Sequence, residues 1–524
     1  MRQALPSVLA VLLVGVQVGS SYKVLVYNPL FAHSHSNFLG RLADILVEAG
    51  FDVTTFSPQI DTSINPGTKL SRMIKVDGDP QATKLRGKFV APEMGLVEMN
   101  PANLFSAGRV YGILGRMLYV QCKATLNRTD VLESLAAENF DVLISESFDY
   151  CGIGISHMLG IKSLITVSST SLFDDLAYLV GVPPPASYVP CTFCEPVDSS
   201  VWSRLITFIH RYVLVMWPEV SLNLEEPLFH SIVGKDWPGL HAIVARSAFV
   251  FTNAEPLLDF ARPTLRKIVD IGGIGIPKAK PLDKFFNETL SLRPRTVLMS
   301  FGSITPTEQM SAEMKQSISH VLSQFPDVTF IWKHENAEDE EVAPNVVLTR
   351  WMPQNDLLND PRVTAFISHA GMGSCQETAA HGVPAIFIPM FADQARNAAM
   401  MQRTGMGIIL TKVDLAQAHL FLAAVTDLLS NPTYSRKAKE VSRMLSERPF
   451  SPQEQLVRHV RFAAEFGPQS ALVPDGVWQS AIQYYMIDVI ALVASIFATF
   501  VFASFCLLRH FARLLFVDNK MKQN

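Results

Sequence analysis

Cysteine is scarce in this chain, with six in 524 residues, too few for a disulfide scaffold. Only one C-x-x-C occurs, Cys191-Thr-Phe-Cys194, and it lies among prolines. No second pair completes a zinc site, so it reads as a surface disulfide or two free thiols rather than a metal or redox centre. An excess of either charge is lacking too. The net charge is −4, from 44 basic and 48 acidic residues, which is not the footprint of a nucleic-acid binder. Internal repeats and low-complexity tracts are absent. Apolar residues are not scarce: they make up 48% of the chain, and the mean hydropathy of +0.21 directs attention to membrane segments.

Two runs answer that description. Met1-Arg2 precedes an apolar stretch from Leu5 to Val18, and Val18-Gly19-Ser20 offers small residues for cleavage. Residues 1–20 therefore read as a secretory signal, too short for a stable span. Ile487 to Leu508 is apolar apart from Asp488 and long enough to cross ~30 Å of hydrocarbon, which assigns 486–508 to a single transmembrane helix. Arg509, His510, Arg513, Lys520 and Lys522 follow, and the positive-inside rule puts the tail, 509–524, in the cytosol. The bulk of the chain is then lumenal, in a single-pass type I arrangement. Two glycosylation sequons, at Asn127 and Asn287, fit that placement; Asn431-Pro-Thr433 is blocked by its proline.

Between these ends the chain alternates strand and helix. Tyr22 to Tyr27 reads as a buried strand, Asn28 to Asn37 as a polar loop carrying His33 and His35, and Phe38 to Ala49 as a helix stopped by Gly50. Val53 to Phe56 is a second strand. Val90 to Ala137 is mostly helical in pattern, and the strand Phe140 to Ile144 runs into Ser145-Glu146-Ser147-Phe148-Asp149. A helix from Cys151 to Leu159 and a strand from Ser163 to Val167 follow. Val201 to Trp217, with Arg204, His210 and Arg211 interleaved, suits an apolar acceptor pocket, a membrane-surface segment or a core helix. Ala248 to Thr252 and Ile268 to Ile271 are the last strands of this half, and Gly272-Gly273 with the Pro277 to Pro281 stretch marks a linker. The rhythm restarts at Thr296 to Ser300, turns at Phe301-Gly302-Ser303, and continues through a helix (Glu308 to Phe325) and two strands (Thr329 to Trp332, Val346 to Leu348). Such alternation predicts an α/β fold with parallel sheets. The economical architecture is two facing Rossmann-like domains, 21–280 and 281–450, followed by return helices and a membrane approach over 451–485.

Trp351 to Gln394 carries the most information. A β-branched, apolar run from Val363 to Ser368 stops at His369-Ala370-Gly371, Ser374 to His381 is a short helix containing Glu377, and Pro384 to Pro389 is a second strand with Asp393-Gln394 just past it. A strand, a glycine turn and a helix N-terminus make an anion site, since free backbone N–H groups and the helix dipole both favour phosphate. In open α/β sheets ligands bind beyond the carboxyl ends of the strands.

This stretch resembles the donor signature of the UDP-glycosyltransferases, in particular the membrane-bound animal UDP-glucuronosyltransferase type. The pattern F-I-S-H-A-G, then Ser374, Glu377, Pro384, Pro389 and Asp393-Gln394 keeps every spacing of that signature. The resemblance implies the two-domain GT-B fold and a donor site in which Trp351 stacks on uracil and Gln354 helps hold the nucleotide. His369, Gly371 and Ser374 then contact the diphosphate, Glu377 binds ribose, and Asp393 and Gln394 hold the sugar. Ser303 resembles a further donor-loop contact. Gly373 departs from the pattern, because many relatives carry Asn there; a backbone amide can take over that contact.

The resemblance also implies a base in the first half. His35, in Ser34-His35 after the first strand, matches the family's catalytic histidine, and imidazole titrates near neutrality. The supporting acid, aspartate in relatives, is here Glu146, with Asp149 a rival; His33 reads as a solvated loop residue and His157 as an ordinary helix residue. No cofactor is implied, since the UDP-sugar is a co-substrate. A D-x-D sequence, Asp77-Gly-Asp79, is the pattern by which glycosyltransferases of another fold hold a metal, and equally ordinary turn chemistry; no metal is expected. The last five residues, Lys-Met-Lys-Gln-Asn, resemble the dilysine signal for return to the endoplasmic reticulum, or form a merely basic flank. The expected activity is inverting transfer of glucuronic acid or glucose from UDP to a hydroxyl of a small lipophilic acceptor, with homo- or hetero-oligomers open. The alternative is a non-catalytic UDP-sugar-binding partner subunit.

Overall fold

The structure, a computed structural model, describes residues 21–95, 104–183, 185–192, 200–213, 221–302, 307–335 and 342–521. The segment read as a secretory signal, Ser303, Cys194, residues 214–217 and Lys522 lie outside them.

Two all-parallel sheets form the framework. The first joins β1 (Lys23–Tyr27), β2 (Asp52–Gln59), β3 (Arg72–Asp77), β4 (Val142–Glu146), β5 (Ser163–Ser168), β6 (Phe249–Thr252) and β7 (Ile268–Asp270) in the order β3-β2-β1-β4-β5-β6-β7. The second joins β8 (Arg295–Ser300), β9 (Val328–Lys333), β10 (Val346–Thr349), β11 (Val363–Ser368), β12 (Ala385–Phe387) and β13 (Gly407–Ile409) in the order β10-β9-β8-β11-β12-β13. Both faces of each sheet are covered, as parallel sheets require. In β1, Val24 and Val26 pack under the first helix while Leu25 and Tyr27 face the opposite core. In the second sheet, Val297 and Met299 lie on one side and Leu298 on the other.

Each sheet reverses its strand order once, between β1 and β4 and between β8 and β11. The strands on either side of the reversal lead their chains away in opposite directions, which opens a crevice at their carboxyl ends. Glu146 ends β4, Ser300 ends β8 and Ser368 ends β11, so the residues singled out above border those two crevices. Gln376 clamps one half to the other, donating to the Asn253 carbonyl and accepting from the Gly273 amide. Arg448 pairs with Glu255 at 2.7 Å. The helix Pro452–Phe466 then returns to the first sheet, where Leu456, Val460 and Ala463 enter its core.

Several expectations change. The segment read as a polar loop is helical from His33, within the helix His33–Glu48. No side chain caps it, so its start carries no sequence signal; Asn28 ties it down by donating to the Ser36 carbonyl at 3.2 Å. The edge strand β3 was not anticipated. Asp77 ends it, and Asp79 caps the helix Pro80–Val90 by accepting from the Gln81 amide, so D-G-D is turn chemistry here. A disulfide, Cys122–Cys151, pins the helix Leu104–Leu126 to the helix Cys151–Met158; Cys191 is also disulfide-bonded. The helix Val201–Val213 exposes Val201, Trp202, Leu205 and Phe208, which is not the pattern of a core helix. The C-terminal apolar helix runs from Ile487 to Met521, past Leu508, because no glycine or proline follows to break it. It is the one described helix long and apolar enough to cross a membrane.

Candidate functional site

His35 sits in the first turn of the helix after β1, and Glu146 is the last residue of the adjacent, paired strand β4. Strand pairing across the order reversal therefore brings together two residues 111 apart in sequence. Both Glu146 carboxylate oxygens lie 2.9 Å from His35 Nδ1. Ser169, just past β5, completes the cluster: its amide donates to Glu146 Oε1 at 3.0 Å and its hydroxyl lies 2.9 Å from His35 Nδ1. Burial by itself would lower the His35 pKa, but the charge and hydrogen bond of Glu146 outweigh it and hold the imidazole above its ordinary value. Burial would likewise raise Glu146; the His35 charge and the bonds from His35 and Ser169 bring it below. With Nδ1 engaged, Nε2 is the nitrogen left to act.

Asp149, the rival acid, is buried elsewhere. It accepts from Tyr27 Oη at 3.2 Å and from the Cys151 amide at 2.9 Å, and burial pushes it up to about 7. His33 is half-buried at the start of the same helix as His35, and His157 is an exposed helix residue packed edge-on against Trp237.

The second half presents a helix start. Gly371 is the N-cap of the helix Met372–His381 and brings no side-chain acceptor, so the first-turn amides have no capping partner. His369 is wedged beside it between two glycines. A Cβ on Gly302 would lie 2.7 Å, and on Gly371 2.6 Å, from His369 Nε2. Its Nδ1 is buried without a partner among the described residues. Burial, opposed by the Ser300 backbone and reinforced by Lys333, brings its pKa down to about 4, so the ring is neutral. Ala370, within this turn, and Ala392, in the loop before Asp393, have φ of 62° and 57°, the strained backbone that gathers at ligand sites.

Gln354 donates to Ser374 Oγ at 3.1 Å and to Glu377 Oε2 at 2.7 Å, joining three of the predicted donor contacts. Burial pushes Glu377 up to about 7. Trp351 is 73% exposed, an unusual state for a large ring, with the Lys333 ammonium 5.9 Å from its centroid. Gly373 faces open space. Asp393 accepts from Asn397 at 2.9 Å, and Gln394 accepts the Met390 and Phe391 amides at 2.8 and 3.1 Å. Burial raises Asp393, and its charge is near enough to His35 to contribute to the upward shift there. Ser169 and Lys333 were missed; their only signal was position at the carboxyl ends of β5 and β9. Asn127 and Asn287 are both exposed.

Two parallel Rossmann-like sheets, with a histidine–carboxylate pair at the end of one and an uncapped helix start at the end of the other, form the GT-B architecture. Solved structures share this fold: the glycosyltransferase VinC in complex with dTDP (TM-score 0.57, 16% identity, covering 84% of this chain and 99% of that one) and the spinosyn rhamnosyltransferase SpnG (TM-score 0.54, 15% identity, 84% and 100%). The family described as UDP-glucoronosyl and UDP-glucosyl transferase matches residues 22–523, and the chain belongs to it. Human UDP-glucuronosyltransferase 3A2 is 27% identical over 91% of each chain. Bovine UDP-glucuronosyltransferase 3A1 is 28% identical over 70% of each, and the Caenorhabditis elegans relative ugt-48 is 28% identical over 92% of this chain and 93% of that one. The protein is a glycosyltransferase enzyme that uses a UDP-sugar.

Proposed function

We propose that the protein transfers glucuronic acid or glucose, with inversion, from UDP to a hydroxyl of a small lipophilic acceptor, in the lumen of the endoplasmic reticulum and without a further cofactor. The observation that carries this reading is the hydrogen-bonded His35–Glu146 pair lying within reach of the charge of Asp393.

The acceptor hydroxyl gives its proton to His35 Nε2 as its oxygen attacks the anomeric carbon. The bond from that carbon to the diphosphate oxygen breaks, and the electron pair leaves with UDP. Attack from the face opposite the leaving group inverts the centre in one displacement. Glu146 keeps the Nδ1–H tautomer and stabilises the imidazolium as it forms. Charge arriving on the diphosphate meets the uncapped amides of the Met372–His381 helix, where fixed dipoles need little reorganisation; neutral His369 adds a hydrogen bond. Trp351 stacks on uracil, Glu377 and Gln354 hold the ribose side, and Asp393 and Gln394 hold the sugar. The C-terminal apolar helix anchors the enzyme in the membrane, and Asn127 and Asn287 carry glycans.

Membranes containing the protein, incubated with UDP-glucuronic acid or UDP-glucose and a panel of phenols, should yield the corresponding glycoside by mass spectrometry. His35→Ala should slow its formation by about 10²–10⁴-fold while UDP still binds. Product formation independent of His35 would overturn the mechanism.

A further inference from the structure

A small cavity, open to solvent on one side, lies beside the base. Phe148 is the wall the two share. Its ring stands edge-on to His35 with centroids 5.0 Å apart, and edge-on to Phe173 at 4.8 Å. Phe148, Phe173 and Leu114 give part of the wall an apolar face, and Tyr111, Ser147, Tyr150, Asp175 and Ser221 bring polar groups to the rest. Ser147 is buried, and its hydroxyl has no partner among the described residues. Asp175 lines the cavity from the helix Asp174–Leu179 and accepts from Tyr150 Oη at 3.2 Å and from the Leu176 amide at 2.8 Å.

The two neighbouring acids of that helix are handled differently. Asp174 forms an ion pair with Arg211 at 3.2 Å. Asp175 forms none among the described residues. A carboxylate has about four acceptor positions, and only two are used here. Burial, with the charge of Asp174 adding to it, pushes Asp175 up to about 6. A half-buried carboxyl with acceptor positions to spare gains from a ligand that supplies a donor.

We propose that this cavity holds the distal part of the acceptor, and that Asp175, braced by Tyr150, selects acceptors carrying a second hydrogen-bond donor away from the hydroxyl that receives the sugar. This rests on the transferase reading above. The donor is a hydroxyl or a basic nitrogen, held in an apolar frame. An acceptor ending in an alkyl group covers Asp175 without bonding its remaining acceptor positions, so it is discriminated against; sites built to bond a polar group reject analogues lacking it more strongly than apolar pockets reject an extra group. The contact is remote from the reacting atoms and present before and during transfer, so it acts through KM rather than kcat.

The test uses three matched phenols whose para chain ends in methyl, hydroxyl or primary amine, with the full chain in membranes. Transfer from the UDP-sugar is followed alongside equilibrium binding of each compound, measured by calorimetry on detergent-solubilised protein. The expected result is a preference of roughly 10–100-fold for the hydroxyl- and amine-ended compounds over the methyl-ended one, the scale of a hydrogen bond to a charged group. The preference should appear in KM and in binding. Asp175→Leu should erase it for both, and Asp175→Asn should erase it for the amine while retaining part for the hydroxyl. Unchanged UDP affinity in each variant shows that it is folded. Equal binding of all three by the wild type, or an undiminished preference in Asp175→Leu, would overturn the proposal. Binding preference without any transfer would instead count against the transferase reading and leave the role of Asp175 standing.

Discussion

Glu146→Gln tests the centre of the mechanism, because it keeps the size of a buried side chain (2% exposed) and removes only its charge. Glu146 lies 2.9 Å from His35 Nδ1 through either oxygen. A hydrogen bond to a charged group contributes about 1.5–3 kcal/mol. The imidazolium formed during transfer feels that contribution in full, and the neutral imidazole much less. At about 1.36 kcal/mol per decade, its loss should slow kcat roughly 10- to 150-fold. Removing the base itself, in His35→Ala, should cost about 10²–10⁴-fold, and the double variant should be little worse, since the carboxylate acts through the ring. The pH profile gives an independent readout. A base must be neutral to act, so activity rises as pH climbs through the His35 pKa, which Glu146 holds above its ordinary value. Glu146→Gln takes that support away, the pKa falls, and the acid limb of kcat/KM should move to lower pH. Asp149→Asn should leave the limb in place, because Asp149 bonds Tyr27 and Cys151 instead. The assay is kcat/KM from pH 5 to 9 on variants shown by calorimetry to bind UDP. An unmoved acid limb in Glu146→Gln, or the shift appearing in Asp149→Asn, would refute the reasoning.

Glu377→Ala should weaken binding of a UDP-sugar by about 1.5–3 kcal/mol in calorimetry. Because Glu377 sits up at about 7 and ribose hydroxyls favour the ionised acid, UDP-sugar affinity should rise from pH 6 to pH 8 in the wild type and lose that rise in Glu377→Gln. Replacing Cys122 and Cys151 by serine opens a crosslink spanning 29 residues, which chain entropy values at about 3–4 kcal/mol; a thermal midpoint unchanged in the serine variant would contradict this. Endoglycosidase should increase the gel mobility of the protein unless Asn127 and Asn287 are both replaced, and protease added to sealed microsomes should clip only the C-terminal tail. Digestion of the bulk of the chain would overturn the orientation.

The repeating strand–helix units, the parallel sheets and the glycine turn followed by the Met372–His381 helix are legible in the sequence, because they depend on local order. A glycine turn, a helix start and residues on one short helix lie within forty-odd positions, from Trp351 to Gln394, and periodicity places them without knowledge of the rest. The apolar C-terminal helix was legible for the same reason, although its end was not, since nothing breaks the helix after Leu508. Contacts between distant segments were decided only by the tertiary structure. Whether Glu146 or Asp149 meets His35 turns on which side chain points into the crevice where β1 and β4 pair, and Ser169 joins them only because β5 lies alongside. The Cys122–Cys151 crosslink and the pairing of Asp174 but not Asp175 with Arg211 depend likewise on how helices pack across the first sheet. Local pattern carries no information about such packing, because it is settled by which buried surfaces fit when the chain closes on itself.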